Sequence, residues 1–109
     1  MTATSSPAAS SISGFAEVNG AKLYYEVLGE GHPLVLIHAG IADSRMWDDQ
    51  FSTLAQFYRV IRYDVRGFGH SRTVENPGNV TNTYADHQDL YHLLEFLNVG
   101  QAFFLGVSN

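Results

Sequence analysis

The stretch LVLIHAG, residues 34–40, determines how this chain is expected to fold. Its first four residues form an apolar run that is too short for a buried helix, and turn-forming residues bound it on both sides. Strands that are covered on both faces have this unbroken apolar pattern, whereas half-exposed strands alternate. The run therefore predicts a central strand of a parallel sheet, followed directly by His38.

Upstream of this run, the chain predicts a polar tail and then a hairpin. Residues 15–18 and 21–28 are strand-like, and Asn19-Gly20 between them supplies the positive φ angles that a two-residue hairpin turn requires. Residues 1–13 have neither the basic and apolar regions of a signal peptide nor the arginines of a transit peptide. We expect a flexible tail over residues 1–13, one domain over residues 14–109, and a cytoplasmic protein.

Downstream of the run, the chain predicts two helices and two more strands. The first helix is indicated by a capping Asp43 or Ser44 and by core residues at helical spacing, namely Trp47, Phe51, Leu54 and Tyr58. The later elements are a strand at 59–63, a long connection at 64–79, a helix at about 84–97 and a strand at 102–105. Because parallel neighbours are joined by long crossovers, this order predicts an α/β fold. We expect a mainly parallel sheet with helices on both faces and the hairpin on its antiparallel edge.

Composition excludes several classes of function. The 109 residues contain six Lys and Arg against eleven Asp and Glu, for a net charge of −5, and the basic residues are scattered singly. Since phosphate binding needs clustered cations, we expect no nucleic-acid partner. The chain has no Cys, which excludes a disulfide framework, a Cys-ligated zinc site and a thiol nucleophile. No apolar run approaches the roughly 18 residues of a membrane span, so we expect no membrane association.

Two sequence patterns could indicate a metal site or a cofactor site, but neither has the arrangement of residues that such a site requires. His87 and His92 are five residues apart in the second predicted helix, a spacing that turns them to different faces. Gly67 and Gly69 begin a dinucleotide-binding pattern, but Arg72 stands where its third small residue must be. We therefore expect neither a metal nor a cofactor.

Three short segments follow the three predicted parallel strands. They are HAG at residues 38–40, DVRGFGHS at residues 64–71 and GVSN at residues 106–109. Open α/β sheets bind ligands at the carboxyl edge of their strands, so the shared location of these segments predicts a site. Within the second segment, we expect Asp64 and Arg66 to form a structural ion pair. The serine of an isolated Gly-x-Ser pattern is usually an ordinary loop residue. The pattern in GVSN follows an apolar strand, and this position favours a functional role for its serine.

The order and spacing of the three segments resemble the α/β-hydrolase family over residues 14–109. The resemblance implies that GVSN is four-fifths of the nucleophile elbow Gly-x-Ser-x-Gly, with Ser108 as the nucleophile. It assigns the two backbone N–H groups of the oxyanion hole to Gly40 and Asn109, and a structural hydrogen-bonding role to His38. Since the family places the triad acid and histidine after the nucleophile, we expect both to lie outside these residues.

Two interpretations of function stay open. In the first, the chain is the N-terminal part of a serine hydrolase that acts on a small-molecule ester or lactone and is inactive alone. In the second, it is a truncated module without catalysis. Carbon–carbon bond hydrolases and cofactor-free peroxidases or oxygenases have similar motifs, whereas dehalogenases and epoxide hydrolases carry Asp at the nucleophile position, so Ser108 disfavours them.

Three structural expectations follow from the resemblance. The strand at 34–37 should lie between the strands at 59–63 and 102–105. Gly40 and Ser108 should lie side by side at one carboxyl edge. Phe103, Phe104 or both should be exposed on the last strand, so that the isolated chain self-associates.

Overall fold

The computed structural model describes residues 11–39, 42–73 and 83–106, which form six strands, a 3-10 turn and two α-helices. The strands are β1 (Ile12–Val18), β2 (Ala21–Leu28), β3 (Pro33–Ile37), β4 (Arg59–Tyr63), β5 (Arg72–Thr73) and β6 (Phe103–Gly106). A 3-10 helical turn (Ser44–Trp47) leads into α1 (Asp48–Leu54), and α2 spans Thr83–Phe96. The long predicted connection after β4 contains β5, which was not predicted and pairs with β2.

The predicted hairpin is confirmed. Antiparallel pairing joins β1 to β2, and the turn between them has φ angles of +52° at Asn19 and +74° at Gly20. The first strand begins at Ile12, three residues before its predicted start at residue 15, because the backbone pairing with β2 continues to Val27. Most of the predicted tail, residues 1–10, lies outside the described residues.

The predicted place of the strand at 34–37, between its two parallel neighbours, is confirmed. The strands of the sheet run β1-β2-β4-β3-β6, and β3 is parallel to both β4 and β6. Val35, in the middle of β3, lies opposite Ile61 of β4 on one side and Phe104 of β6 on the other. The run that predicted a central strand is therefore covered by neighbours on both edges, and the hairpin forms the antiparallel side of the sheet.

One helix packs on each face of the sheet, as predicted. Side chains alternate between the faces of a strand, so Val35 packs in the cluster that includes Leu93 of α2, while Leu36 packs with Trp47 and Phe51. The α-helical part of the first predicted helix is short, because α1 ends at Leu54, whose carbonyl accepts the N–H groups of Phe57 and Tyr58. Neither helix in the described part of the chain is long and apolar enough to cross a membrane.

Candidate active site

The three residues assigned to the chemistry, Gly40, Ser108 and Asn109, lie outside the described residues, so their geometry stays a prediction. The strands that lead to them are described. β3 and β6 are adjacent and parallel, and Ile37 at the end of β3 lies opposite Gly106 at the end of β6. Both strands therefore end level with each other, at the edge of the sheet where open α/β folds bind ligands.

His38 follows β3 and is buried at this edge, where both of its ring nitrogens are occupied. Nε2 lies 2.8 Å from the backbone nitrogen of Val65, and Nδ1 lies 2.7 Å from the carbonyl oxygen of Ala39. A backbone N–H only donates, so Nε2 accepts, and the proton is on Nδ1, which donates to Ala39. The structural hydrogen-bonding role predicted for His38 is confirmed, and this bonding leaves no ring nitrogen available as a base.

Asp64, directly after β4, is almost fully buried and binds two backbone N–H groups. Its Oδ1 accepts from Ser44 at 2.7 Å, and its Oδ2 accepts from His70 at 2.9 Å. Hydrogen bonds from N–H groups to a carboxylate are among the stronger ones in proteins. Asp64 therefore joins the loop after β3 to the loop after β4, and its role here is structural.

The predicted ion pair between Asp64 and Arg66 is wrong. Arg66 instead forms a buried two-point pair with Asp89 of α2, with Nε and Nη2 each 2.8 Å from a carboxylate oxygen. Asp64 is closer in sequence, but backbone N–H groups already occupy its oxygens. A signal for Asp89 was available, because this carboxylate lies four residues before Leu93 and so shares the buried face of the helix.

Ser71 completes the loop after β4 and was not singled out from the sequence. Its hydroxyl donates to the carbonyl oxygen of Asp64 at 2.5 Å and accepts the N–H of Tyr24 in β2 at 2.8 Å. The buried hydroxyl thus connects both ends of the loop to the sheet. The sequence signal that could have indicated this role is the position of Ser71 at the end of the DVRGFGHS segment.

A cleft of about 690 Å³ opens where the two loops meet. Its lining includes Asp43 from the loop after β3, Arg45 and Met46 from the 3-10 turn, and Phe68 from the loop after β4. The hydrogen bond from the Arg45 side chain is the main cause that lowers the pKa of Asp43 to about 2. The lining of the cleft therefore includes an ion pair and an aromatic ring.

Metal binding has no visible basis in the described ranges. No group of three or more His, Asp or Glu side chains there is arranged to hold a metal ion. His92 contacts Glu95 one helical turn away, with 3.1 Å between Nδ1 and Oε1, and His87 is exposed on α2.

Comparison with known proteins agrees with this architecture. A family model described as the alpha/beta hydrolase fold matches residues 32–108. A 3-oxoadipate enol-lactonase of Acinetobacter baylyi is 33% identical over 91 residues, which are 82% of this chain and 33% of that protein. A non-heme chloroperoxidase of Kitasatospora aureofaciens is 37% identical over 82 residues, 74% of this chain and 29% of that protein.

A solved structure shows the same likeness. The crystal structure of the enol-lactonase from Burkholderia xenovorans has a TM-score of 0.75 and 32% sequence identity, and it covers 87% of this chain and 37% of that one. The chain thus spans about a third of the length of these relatives.

Proposed function

The chain belongs to the alpha/beta hydrolase fold family, and on that premise we propose that it forms the amino-terminal part of a serine hydrolase of carboxylic esters or lactones. The observation that carries the proposal is the parallel register of β3 and β6, which pairs Ile37 with Gly106. Gly40 follows the first strand by three residues and Ser108 follows the second by two. A nucleophile and an oxyanion donor at these positions would meet above the ends of adjacent strands.

The reaction is nucleophilic acyl transfer. Ser108 Oγ attacks the substrate carbonyl carbon and gives its proton to a histidine outside residues 1–109. The carbonyl oxygen becomes an oxyanion that accepts hydrogen bonds from the N–H groups of Gly40 and Asn109. Collapse breaks the bond to the alcohol oxygen, which takes up the proton, and water then hydrolyses the ester on Ser108. For a lactone, the released alcohol and the acid belong to one product molecule.

His38 does not supply the base, because both of its nitrogens are engaged with Val65 and Ala39. The small-molecule substrate class rests on two observations. The cleft beside the two loops has room for a small molecule, and the relatives named above include two enol-lactonases. Ester and lactone hydrolysis use the same attack on an acyl carbon, so both belong to the proposal.

The test compares the product of the complete reading frame with the 109-residue chain, using nitrophenyl acetate and a simple γ-lactone. We expect the complete product to turn over at least one of them, Ser108→Ala to abolish that turnover, and the exposed Ser52→Ala control to retain it. The 109-residue chain should be slower by about a million-fold, because removal of a catalytic triad costs that much.

Two outcomes would overturn the proposal. If the reading frame stops after codon 109 and its product is inert, the non-catalytic module is correct. If the 109-residue chain shows Ser108-dependent turnover at an enzyme-like rate, a base must lie within these residues. The sequence immediately after codon 109 gives an early indication, since the elbow pattern requires a glycine there.

A second candidate is peroxidase chemistry in the same fold, favoured by the likeness to a non-heme chloroperoxidase. Here hydrogen peroxide would replace water as the acceptor of the acyl group on Ser108, so that a carboxylic peracid leaves. Peracid formation from acetate ester and hydrogen peroxide, compared between the complete product and Ser108→Ala, separates this candidate from hydrolysis alone.

A further inference from the structure

On the premise of the serine hydrolase function above, we propose that Arg62 of β4 is a positioning residue for the oxyanion hole. Arg62 lies outside the three segments that carry the family resemblance. It would act through the oxyanion loop, defined here as residues 39–43 between His38 and Ser44, which contains the predicted donor Gly40.

Hydrogen bonds join the two ends of the oxyanion loop to two consecutive residues, Asp64 and Val65. His38 accepts the N–H of Val65, and Ser44 donates its own N–H to Asp64. Between these anchors, the N–H of Ala42 donates to the carbonyl of Ala39 at 3.0 Å. Both described ends of the loop are therefore held by residues directly after β4, and the predicted donor Gly40 lies between those ends in the chain.

Arg62 holds the other side of Ser44. Its Nη1 lies 3.2 Å from the carbonyl oxygen of Ser44 and 2.7 Å from Oδ1 of Asp48. Alternate residues of a strand face the same side, which brings Arg62 and Asp64 to Ser44 together. Ser44 is thereby restrained at both its N–H and its C=O, so it cannot rotate without breaking a charge-assisted hydrogen bond.

Arg62 is itself fixed in orientation. Glu26 of β2 binds its Nε at 2.7 Å and its Nη2 at 2.6 Å, and the guanidinium lies 4.1 Å from the ring centre of Phe51. Glu26 also accepts the hydroxyl of Tyr24. Only a planar guanidinium presents donors in the several fixed directions that Glu26, Ser44 and Asp48 require.

The energetics favour a positioning role over a stabilising one. The Arg62 side chain is 11% exposed, and desolvating a charge largely cancels the attraction of its partner. An apolar side chain beside Phe51 would serve the core at least as well. An apolar side chain cannot hold the Ser44 carbonyl, so the contact with Ser44, directly after the oxyanion loop, requires a hydrogen-bond donor at position 62.

The kinetic test uses the complete gene product with three substitutions: Arg62→Met, Arg62→Lys and the control Arg59→Met. Arg59 is half-buried at the amino end of the same strand, away from the site. We expect both Arg62 variants to lose about tenfold or more in kcat while KM changes less than about twofold, because oxyanion contacts form in the transition state. Arg59→Met should keep both constants.

Hydrogen exchange gives a readout that does not depend on activity. In Arg62→Met, amides of the oxyanion loop and Ser44 should exchange about tenfold faster than in wild type, whereas amides at Leu93 in α2 should not change. If Arg62→Met does not fold, Asp48→Ala removes one acceptor of Nη1 and should produce a smaller change in the same amides.

The outcomes separate the two proposals. Positioning is wrong if Arg62→Lys retains kcat and the exchange rates of the oxyanion loop, or if exchange rises equally in the loop and in α2. If the wild-type product shows no Ser108-dependent turnover, the serine hydrolase function is wrong, and exchange still decides whether Arg62 holds the loop.

Discussion

Position 69 in the loop after β4 requires a glycine. Gly69 has a φ of +54°, and a Cβ built there would overlap the carboxylate of Asp64. The carboxylate cannot retreat, since it accepts hydrogen bonds from Ser44 and His70. A side chain at this position would therefore meet both backbone strain and a fixed charged group.

We expect Gly69→Ala to lower the free energy of unfolding by about 2 kcal/mol or more, since a strained backbone position costs about 1–3 kcal/mol and the overlap adds to it. Gly100→Ala is the matched control, because a Cβ there meets no atom within 4 Å. It should change stability by less than about 0.5 kcal/mol. Urea denaturation followed by circular dichroism measures both, and equal effects would contradict the strain assigned to Gly69.

Sequence reasoning predicted the roles of some single residues and missed those of others. The role of His38 was predictable, because the segment HAG resembles a family motif whose histidine is structural. The partner of Arg66 was harder to predict. The spacing of Asp89 and Leu93 indicated a buried carboxylate, but the choice between Asp64 and Asp89 depends on which carboxylate backbone N–H groups already occupy. Such competition is settled by three-dimensional packing and leaves no trace in the spacing of two residues.

At the scale of elements, Asp43 caps the 3-10 turn that leads into α1. Its carboxylate accepts the backbone N–H of Arg45 at 2.9 Å and binds the Arg45 guanidinium at 2.8 Å. These contacts lower the pKa of Asp43 from its usual 3.8 to about 2. Because the folded-state pKa is depressed, this stabilisation is complete above the unfolded value and is lost as pH falls from about 4 through about 2.

We therefore expect Asp43→Asn to reduce the free energy of unfolding at pH 7 and to make progressively less difference as the pH approaches 2. Asn remains a good cap, so what is removed is mainly the charge. Urea unfolding of both proteins at several pH values between 7 and 2 measures the difference. A difference that stayed constant over this range would rule out the charge as its source.

A second prediction concerns the attachment of α2 to the hairpin. The buried pair of Arg66 and Asp89 also binds the hairpin turn, since Asn19 donates to Asp89 and its carbonyl accepts from Arg66. Arg66→Met should destabilise the fold by about 3–5 kcal/mol, because it leaves a buried carboxylate without its cation.

The double variant Arg66→Met with Asp89→Leu should recover part of that loss, since the unpaired charge is then gone. A double-mutant cycle from urea denaturation gives the coupling between the two side chains. Simple additivity of the two single effects would show that the pair does not act as a unit.

Element types were more predictable than element ends. Residues 84–97 were predicted for α2 and Thr83–Phe96 are observed, because burial of one face sets the periodicity over many residues. The first helix was overextended because Tyr58 keeps the helical spacing although the chain turns at Leu54. β5 was missed since two residues are too few to show a pattern.

For the whole molecule, the place of β3 between β4 and β6 was predicted correctly from the resemblance, and the apolar run of β3 supports its central position. From the sequence, the candidate site could be located only to the carboxyl edge of the sheet. β3 and β6 end level there, whereas the donors and the nucleophile at Gly40, Ser108 and Asn109 lie outside the described residues. Their roles stay predictions that the kinetic comparison tests.

The exposed strand β6 predicts that the 109-residue chain self-associates. Within the described ranges β6 pairs only with β3, and Phe103, Phe104 and Leu105 are 55%, 53% and 44% exposed. A free apolar edge of this kind pairs readily with another chain, whereas a charge placed on it opposes pairing. Sedimentation velocity at neutral pH over a tenfold range of concentration should therefore show a mass that rises for the wild type.

The matched variant Phe104→Lys should remain monomeric over the same range, because the charge lies on the exposed strand and Phe104 is already half open to solvent. Lys also weakens the contact of Phe104 with its neighbours, so circular dichroism must show that the variant is folded. A sharply melting wild-type monomer would mean that β6 is a protected edge, and the chain would then be a self-sufficient module rather than the first part of a larger hydrolase.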